Sequence, residues 1–308
     1  MDADSTAPVL LIHGGAGVIG RNVSSGKQQA IRASLHEALQ RGHARLRAGD
    51  SALDAVCAAV TALEDAPQFN AGRGAVFTHE GRNELDAAIM EGATLRAGAV
   101  AGVRGIRNPV LLARAAMEHS LHVMLIGEGA EAFARERGIE FAAPEYFRTE
   151  ERWRELQNAL KNEARGEPQN YFGTVGAVAL DVRGHLAAAT STGGMTNKRW
   201  GRVGDAPIIG AGTYANAHCA VSCTGHGEFY IRTCAAHAIC MRAAEMHQSA
   251  VDASEQVIDR EIPQLGGSGG AIVLCADGTF AMPFNTGGMY RGWIDADAQP
   301  HTRIWKDE

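Results

Sequence analysis

Residues 173–194 read GTVGAVALDVRGHLAAATSTGG, and the reading of the whole chain turns on them. Residues 175–180 are small and apolar. Asp181-Val-Arg-Gly184 is a turn, and 185–190 is the returning strand, so the stretch predicts a hairpin. Just upstream the character is different. Ten of the twenty residues from Arg148 to Glu167 are charged, and Gly166, Pro168, Gln169 and Asn170 follow. Trp153, Leu156 and Leu160 share a helical face, but 148–172 as a whole reads as a charged, exposed linker. Gly173-Thr174 stands where linker meets strand.

That junction has a chemical meaning. A threonine hydroxyl is a poor nucleophile unless a base lies beside it. One solution makes the threonine a chain terminus, so that its own α-amine is the base. The amine's reference pKa, near 7.7, leaves it substantially neutral at physiological pH. Such an enzyme is made as a precursor and cut before the threonine. Glycine at the preceding position leaves room for attack and tolerates a strained backbone. Local spacing alone also allows Thr174 to be merely the first residue of a strand.

Working outward, 9–13 is a short apolar strand ending in HGGAG. Residues 27–47 carry Ile31, Leu35, Ala38, Leu39 and Leu46 on one helical face. Ser51 and Asp54 fit a capping box for a second helix. Strands are expected near 75–78, 84–90, 99–103 and 123–126, and helices after Asn108-Pro109 and over 128–137. Beyond the central hairpin, helices are expected over 228–247 and 251–262, then strands over 271–274 and 279–283. Strands in hairpins and helices in groups favour antiparallel sheets with helices on their outer faces.

Composition excludes several classes. The 308 residues are 45% apolar, with net charge −6 and no polybasic run, so nothing suits DNA or RNA. No stretch approaches the roughly 18 apolar residues that span a bilayer, and the start lacks the features of a secretory signal. Six cysteines without a C-x-x-C pair read as reduced thiols of a cytoplasmic protein. The 37 glycines fall in short clusters, as in a site lined by backbone.

Three motif matches fail on context. Gly15-x-Gly17-x-x-Gly20 is followed by loop, whereas the dinucleotide fingerprint opens a helix. Gly266-x-Ser268-x-Gly270 matches a nucleophile elbow, but the order is helix, serine, strand, the reverse of the elbow. Cys234, His237 and Cys240 drift around a helix and have no evident fourth metal ligand.

The chain resembles the plant-type asparaginases, or isoaspartyl peptidases, of the N-terminal nucleophile hydrolase superfamily. The resemblance runs over nearly its whole length. Its landmarks, in order, are His13-Gly-Gly-Ala-Gly17, Phe69-Asn-Ala-Gly72, Glu84-Leu-Asp-Ala87, Gly173-Thr-Val-Gly176, Ala189-Thr-Ser-Thr-Gly-Gly194, Arg202-Val-Gly-Asp205, Thr224-Gly-His-Gly227 and Asn285-Thr-Gly-Gly-Met-Tyr-Arg-Gly292. The resemblance implies an α+β fold, a four-layer αββα sandwich of two antiparallel sheets between helical layers, as one domain over 1–308. It implies cleavage between Gly173 and Thr174 into chains 1–173 and 174–308, and assembly of two such pairs into an (αβ)2 heterotetramer. It makes Thr174 the nucleophile and Thr192 its orienting partner. Thr224 and Gly225 become the oxyanion hole, and Asn70 a support. Substrate binding falls to Arg202 (α-carboxylate) and Asp205 (α-ammonium), with Val203, Gly204, Thr224, Gly225, His226 and Gly227. No cofactor is required, though a structural sodium ion on backbone carbonyls near 63–73 is implied. The activity implied is hydrolysis of β-aspartyl dipeptides and L-asparagine through an acyl-enzyme, releasing aspartate. Gly173, where related branches carry aspartate, favours this branch. The stretch from Gly212 to Thr224 is about one residue shorter than the family pattern. Two other readings stand beside this one: a serine esterase using Ser268, and a catalytically silent, uncleaved binding module.

Overall fold

The computed structural model describes residues 7–17, 19–21, 23–165 and 173–308, and it represents the uncut chain. The first half forms β1 (Val9–Gly17), α1 (Ser25–Arg47), α2 (Ala52–Asp65), β2 (Leu85–Glu91), β3 (Ala97–Val103), α3 (Pro109–His119), β4 (Met124–Ile126), α4 (Gly127–Glu136), α5 (Pro144–Phe147) and α6 (Glu150–Ala164). The second forms β5 (Val175–Leu180), β6 (Leu186–Thr192), β7 (Thr213–Ala215), β8 (Cys219–Gly225), α7 (Gly227–Thr233), α8 (Ala235–Glu245), α9 (Ala250–Glu255), β9 (Gly269–Cys275), β10 (Phe280–Ala281), β11 (Gly288–Ile294) and β12 (His301–Arg303).

These strands make two sheets, one of eight strands ordered β12-β11-β1-β5-β6-β2-β3-β4 and one of four ordered β10-β9-β8-β7. Successive side chains of a strand point to opposite faces, and the cores follow that period. Leu10 and Ile12 join Val175, Ala177 and Ala179 in a core shared with α1, α2 and α3. Val9 and Leu11, with Val178 and Leu180, point the other way and meet Ala220, Ile272 and Leu274 of the small sheet. Val221, Cys223, Ala271 and Val273 in turn face Ile239, Ala253, Val257 and Ile258 of the helices that follow. Strands buried on both faces need no polar alternation, hence the nearly unbroken apolar runs.

The α+β class holds, with corrections. The sheets are not wholly antiparallel, because β4 pairs in parallel with β3 at one edge. Residues 75–78 make only an isolated bridge, Thr78 to Lys198. Of the 148–172 linker, residues 150–164 are the helix α6. Thr149 caps it, and Arg152 and Leu156 are buried. Residues 166–172 lie outside the described part. The helix expected over 228–247 is two helices, broken at Cys234, whose φ is 48°. The helix expected over 251–262 begins as α9 and runs on as a π-helical stretch from Gln256 to Glu261. β11, which lies between the edge strand β12 and β1, falls on a stretch that reads in the sequence as a glycine-rich landmark and not as a strand. Among the described residues, no helix is long and apolar enough to cross a membrane.

Candidate active site

Thr174 directly precedes β5, between β1 and β6. Its hydroxyl donates to the Thr192 oxygen at 3.2 Å, and Thr192 lies at the end of β6. Thr192 Oγ1 also accepts from Gly194 N–H at 3.0 Å and donates to the Gly173 carbonyl at 3.4 Å. One hydroxyl thus meets both the Thr174 hydroxyl and the peptide before it. The same carbonyl accepts from Asn70 Nδ2 at 2.8 Å, and Asn70 is pinned by Gly194 O and Val76 N–H.

Gly173 has φ of 66°, in the left-handed region, where a side chain would be strained. Behind it a bulge in β1 between His13 and Gly15 pushes the backbone forward. A Cβ on Gly15, whose φ is +108°, would lie 2.5 Å from Gly173 Cα, so only glycine fits there.

Beneath Thr174 runs a buried chain of hydrogen bonds that the sequence did not reveal. His13 Nδ1 donates to the Thr174 carbonyl at 3.0 Å, and its Nε2 accepts from the Ser222 hydroxyl at 2.9 Å. Ser222 meets Thr190 at 2.7 Å, and Thr213 donates to Thr190 at 2.6 Å. A carbonyl can only accept, which fixes the tautomer. Burial pushes the imidazole down to about 3, so His13 is neutral.

Arg202 and Asp205 do not pair with each other. Arg202 clamps Glu228 through two bonds of 2.9 Å, and its Nη1 is turned toward Gly194. Glu228, held low chiefly by these bonds against the opposing effect of burial, is a charged partner that the sequence reading missed. Asp205 is 4% exposed, and its Oδ2 has no hydrogen-bond partner. Burial pushes its carboxyl up to about 7, partly opposed by its own N–H and by Arg202. A buried, unpartnered carboxylate oxygen beside a half-buried guanidinium is a place for an external cation and anion. A Cβ on Gly227 would lie 2.7 Å from Asp205 Oδ1 and 2.9 Å from Arg202 Nη2, so this glycine keeps the pair accessible.

The cleft that gathers these groups is lined by Gly173, Thr174, Thr192, Gly194, Met195, Arg202, Gly204, Asp205 and Gly225. In the uncut chain it holds only about 10 Å³, room for one water. Thr224 is fully buried behind it and accepts from Ala16 N–H at 3.2 Å. Val203 spaces Arg202 from Asp205 without lining the cleft. His226 lies by Glu228 at 3.4 Å and edge-on to Phe229. The segment from Gly212 to Thr224 is the β7–β8 hairpin. Its turn lies at the end away from Thr224, where a change of length leaves that residue in register. Ser268 is exposed, and its carbonyl accepts from His226 N–H. It sits between helix and strand in the order opposite to an elbow.

A larger cavity, about 420 Å³, is lined by Phe77, Arg82, Arg104 and Phe147 among others and shares no residue with this cleft. Chemistry, not size, picks the site. Among the described residues, one cluster brings together three side chains of metal-ligating type, Asp295, Asp297 and His301. His301 and Asp297 already bond each other at 2.8 Å.

A threonine hydroxyl beside a second threonine, a bound carbonyl before it and a charge pair held apart are groups that hydrolysis of an amide bond calls for. The family model described as Asparaginase matches residues 6–304, and the chain belongs to that family. It is a hydrolase of that family, similar to the isoaspartyl peptidase of Escherichia coli strain K12, with 52% identity over 97% of each chain. It is also similar to the isoaspartyl peptidase/L-asparaginase of Mus musculus, at 43% identity over 91% of this chain and 86% of that one. With the probable isoaspartyl peptidase/L-asparaginase 2 of Arabidopsis thaliana it shares 36% identity over 96% and 98%.

Proposed function

We propose that the protein cuts its own chain between Gly173 and Thr174 and then hydrolyses β-aspartyl dipeptides and L-asparagine. The observation that carries this is the bonding around Gly173 O, held by Asn70 and Thr192 while Thr192 accepts the nucleophile's hydroxyl. In the first reaction Thr174 Oγ1 attacks the Gly173 carbonyl carbon, the C–N bond breaks and the hydroxyl proton passes to the nitrogen, which frees the Thr174 α-amine and leaves an ester between Gly173 and Thr174 Oγ1. Water hydrolyses the ester, freeing the Gly173 carboxylate and the Thr174 hydroxyl. In the second, that amine takes the hydroxyl proton as Oγ1 attacks the side-chain carbonyl of the substrate. Arg202 holds the α-carboxylate by its planar fork, and Asp205 the α-ammonium. Thr224 and the Gly225 N–H stabilise the oxyanion, and His226 and Gly227 border the headgroup. The amine returns the proton to the leaving nitrogen, and water releases aspartate from the acyl-enzyme.

Four layers, helices–sheet–sheet–helices, are the arrangement that the three cores favour. A hard cation such as sodium suits the 63–73 loop. Its carbonyls, Glu64 O and Phe69 O, turn inward so closely that a Cβ on Gly72 or Gly74 would clash with them. There an ion would brace the loop that carries Asn70. Assembly as (αβ)2 and a cytoplasmic location, suited to six free thiols, complete the proposal.

The test is intact mass after incubation near neutral pH, beside Thr174→Ala. Two fragments meeting at Gly173/Thr174, absent from the variant, are expected. A stable full-length chain that releases no aspartate would refute the reading and leave a silent fold.

A further inference from the structure

Gly173 is a wall between two cavities. One is the small cleft over Thr174. The other, about 240 Å³, lies on the far side, against Gly14 to Gly17 of the β1 bulge, Gln68, Phe69, Asn70 and Tyr290. Its remaining wall carries Lys27 of α1 with Glu151, Arg152 and Glu155 of α6. Asn70 and Gly173 tie it to the reaction centre.

The chemistry says what enters it. The Thr174 α-amine must hand its proton to the leaving nitrogen, so that nitrogen lies beside Thr174 N. In the uncut chain the neighbour of Thr174 N is Gly173. Cleavage frees that place, and the two cavities then meet there. The aspartyl headgroup is held on the Arg202/Asp205 side. Whatever is attached to the leaving nitrogen must therefore extend through the vacated place into the second cavity.

We propose that this cavity is the subsite for the leaving residue of a β-aspartyl dipeptide, with the α-carboxylate of that residue received by Lys27. This rests on the function proposed above. At about 240 Å³ the cavity is smaller than the roughly 300–1,000 Å³ of drug-sized ligand pockets and suits a single amino acid. Phe69 and Tyr290, edge to face at 6.1 Å, give it an apolar wall. Of its two cations, Arg152 is fixed. It is 8% exposed in its side chain, paired with Glu155 and bound to Gly74 O. Lys27 is the adaptable one. Its pair with Glu151, at 2.5 Å, is 42% and 56% exposed. An exposed pair of this kind contributes little stability, so exchanging Glu151 for an incoming carboxylate costs little.

The test compares kcat/KM of the processed enzyme for β-aspartyl-leucine, β-aspartyl-leucinamide and L-asparagine, in the natural protein and in Lys27→Met and Lys27→Glu. The natural protein is expected to favour the free carboxylate over the amide by about two- to fivefold, the order of one partly exposed charge contact. Both variants should lose that preference, and the ratio of β-aspartyl-leucine to L-asparagine should fall with it. Equal rates on the carboxylate and the amide in the natural protein would overturn the subsite, as would an equal loss on all three substrates in the variants. No aspartate from any substrate would instead sink the underlying function.

Discussion

Asn70 is the residue whose position bears most on the proposed self-cleavage. The sequence reading made it a support, yet its amide is the shortest contact to the Gly173 carbonyl. Charge develops on that oxygen as Thr174 attacks, so a preorganised donor there lowers the barrier. Losing one such donor typically costs about 10²–10³ in rate. Asn70→Ala should slow the appearance of fragments by that factor in a gel time course, with the chain still folded. Unchanged cleavage would remove Asn70 from the mechanism. Asp205 carries the opposite kind of signature, a function that costs stability. Its folded pKa, about 7, lies above its ordinary value of 3.8. Such a group favours the fold fully below about pH 4, and that contribution disappears as pH rises toward 7. Three units correspond to roughly 4 kcal/mol. Asp205→Asn should therefore be the more stable protein in urea at pH 8, with the gap closing at pH 4, while substrate binding fails. A variant less stable at pH 8 would contradict a buried, unpartnered carboxyl.

At the scale of elements, the break between α7 and α8 falls on a residue ill suited to it. Cys234 sits at φ 48°, ψ 48°, a conformation that costs a side-chain-bearing residue about 1–2 kcal/mol. Glycine there relieves the strain but gives back about 0.5–1 kcal/mol in unfolded-state entropy. Cys234→Gly should raise the unfolding free energy measured in urea by up to about 1 kcal/mol, and Cys234→Val should lower it. The reverse order would mean the thiol has a role that outweighs backbone strain. This break was illegible in the sequence because neither glycine nor proline marks it. β11 was missed for the converse reason: Gly288 and Gly292 look like loop, but they let neighbours close in. A Cβ on Gly292 would lie 2.9 Å from Leu39 Cδ1. The β5–β6 hairpin was legible because alternate residues face two different cores and the turn chemistry was explicit. That Thr174, Thr192, Arg202 and Asp205 gather in one cleft was legible through landmark order. Glu228 and the Ser222–Thr190–Thr213 relay were not, since their partners meet only through the stacking of the two sheets.

For the whole molecule, the strand order sets what a cut can do. The large sheet takes β1, β2, β3 and β4 from residues before Gly173 and β5, β6, β11 and β12 from residues after it. They interleave. β1 lies between β11 and β5, and β2 pairs with β6. Separating the halves means breaking three ladders and opening the core beneath α1, α2 and α3, which is unfolding. The cut protein should therefore run as one particle in native buffer and as two chains under denaturing conditions, without any disulfide to join them. Unfolding of the cut form releases two chains from each precursor, so by mass action its midpoint should rise with protein concentration more steeply than that of uncut Thr174→Ala. Halves that drift apart in native buffer, or two midpoints with the same concentration dependence, would be incompatible with the interleaved sheet. Either result would mean that the cleavage separates modules and does not simply free an amine inside one fold.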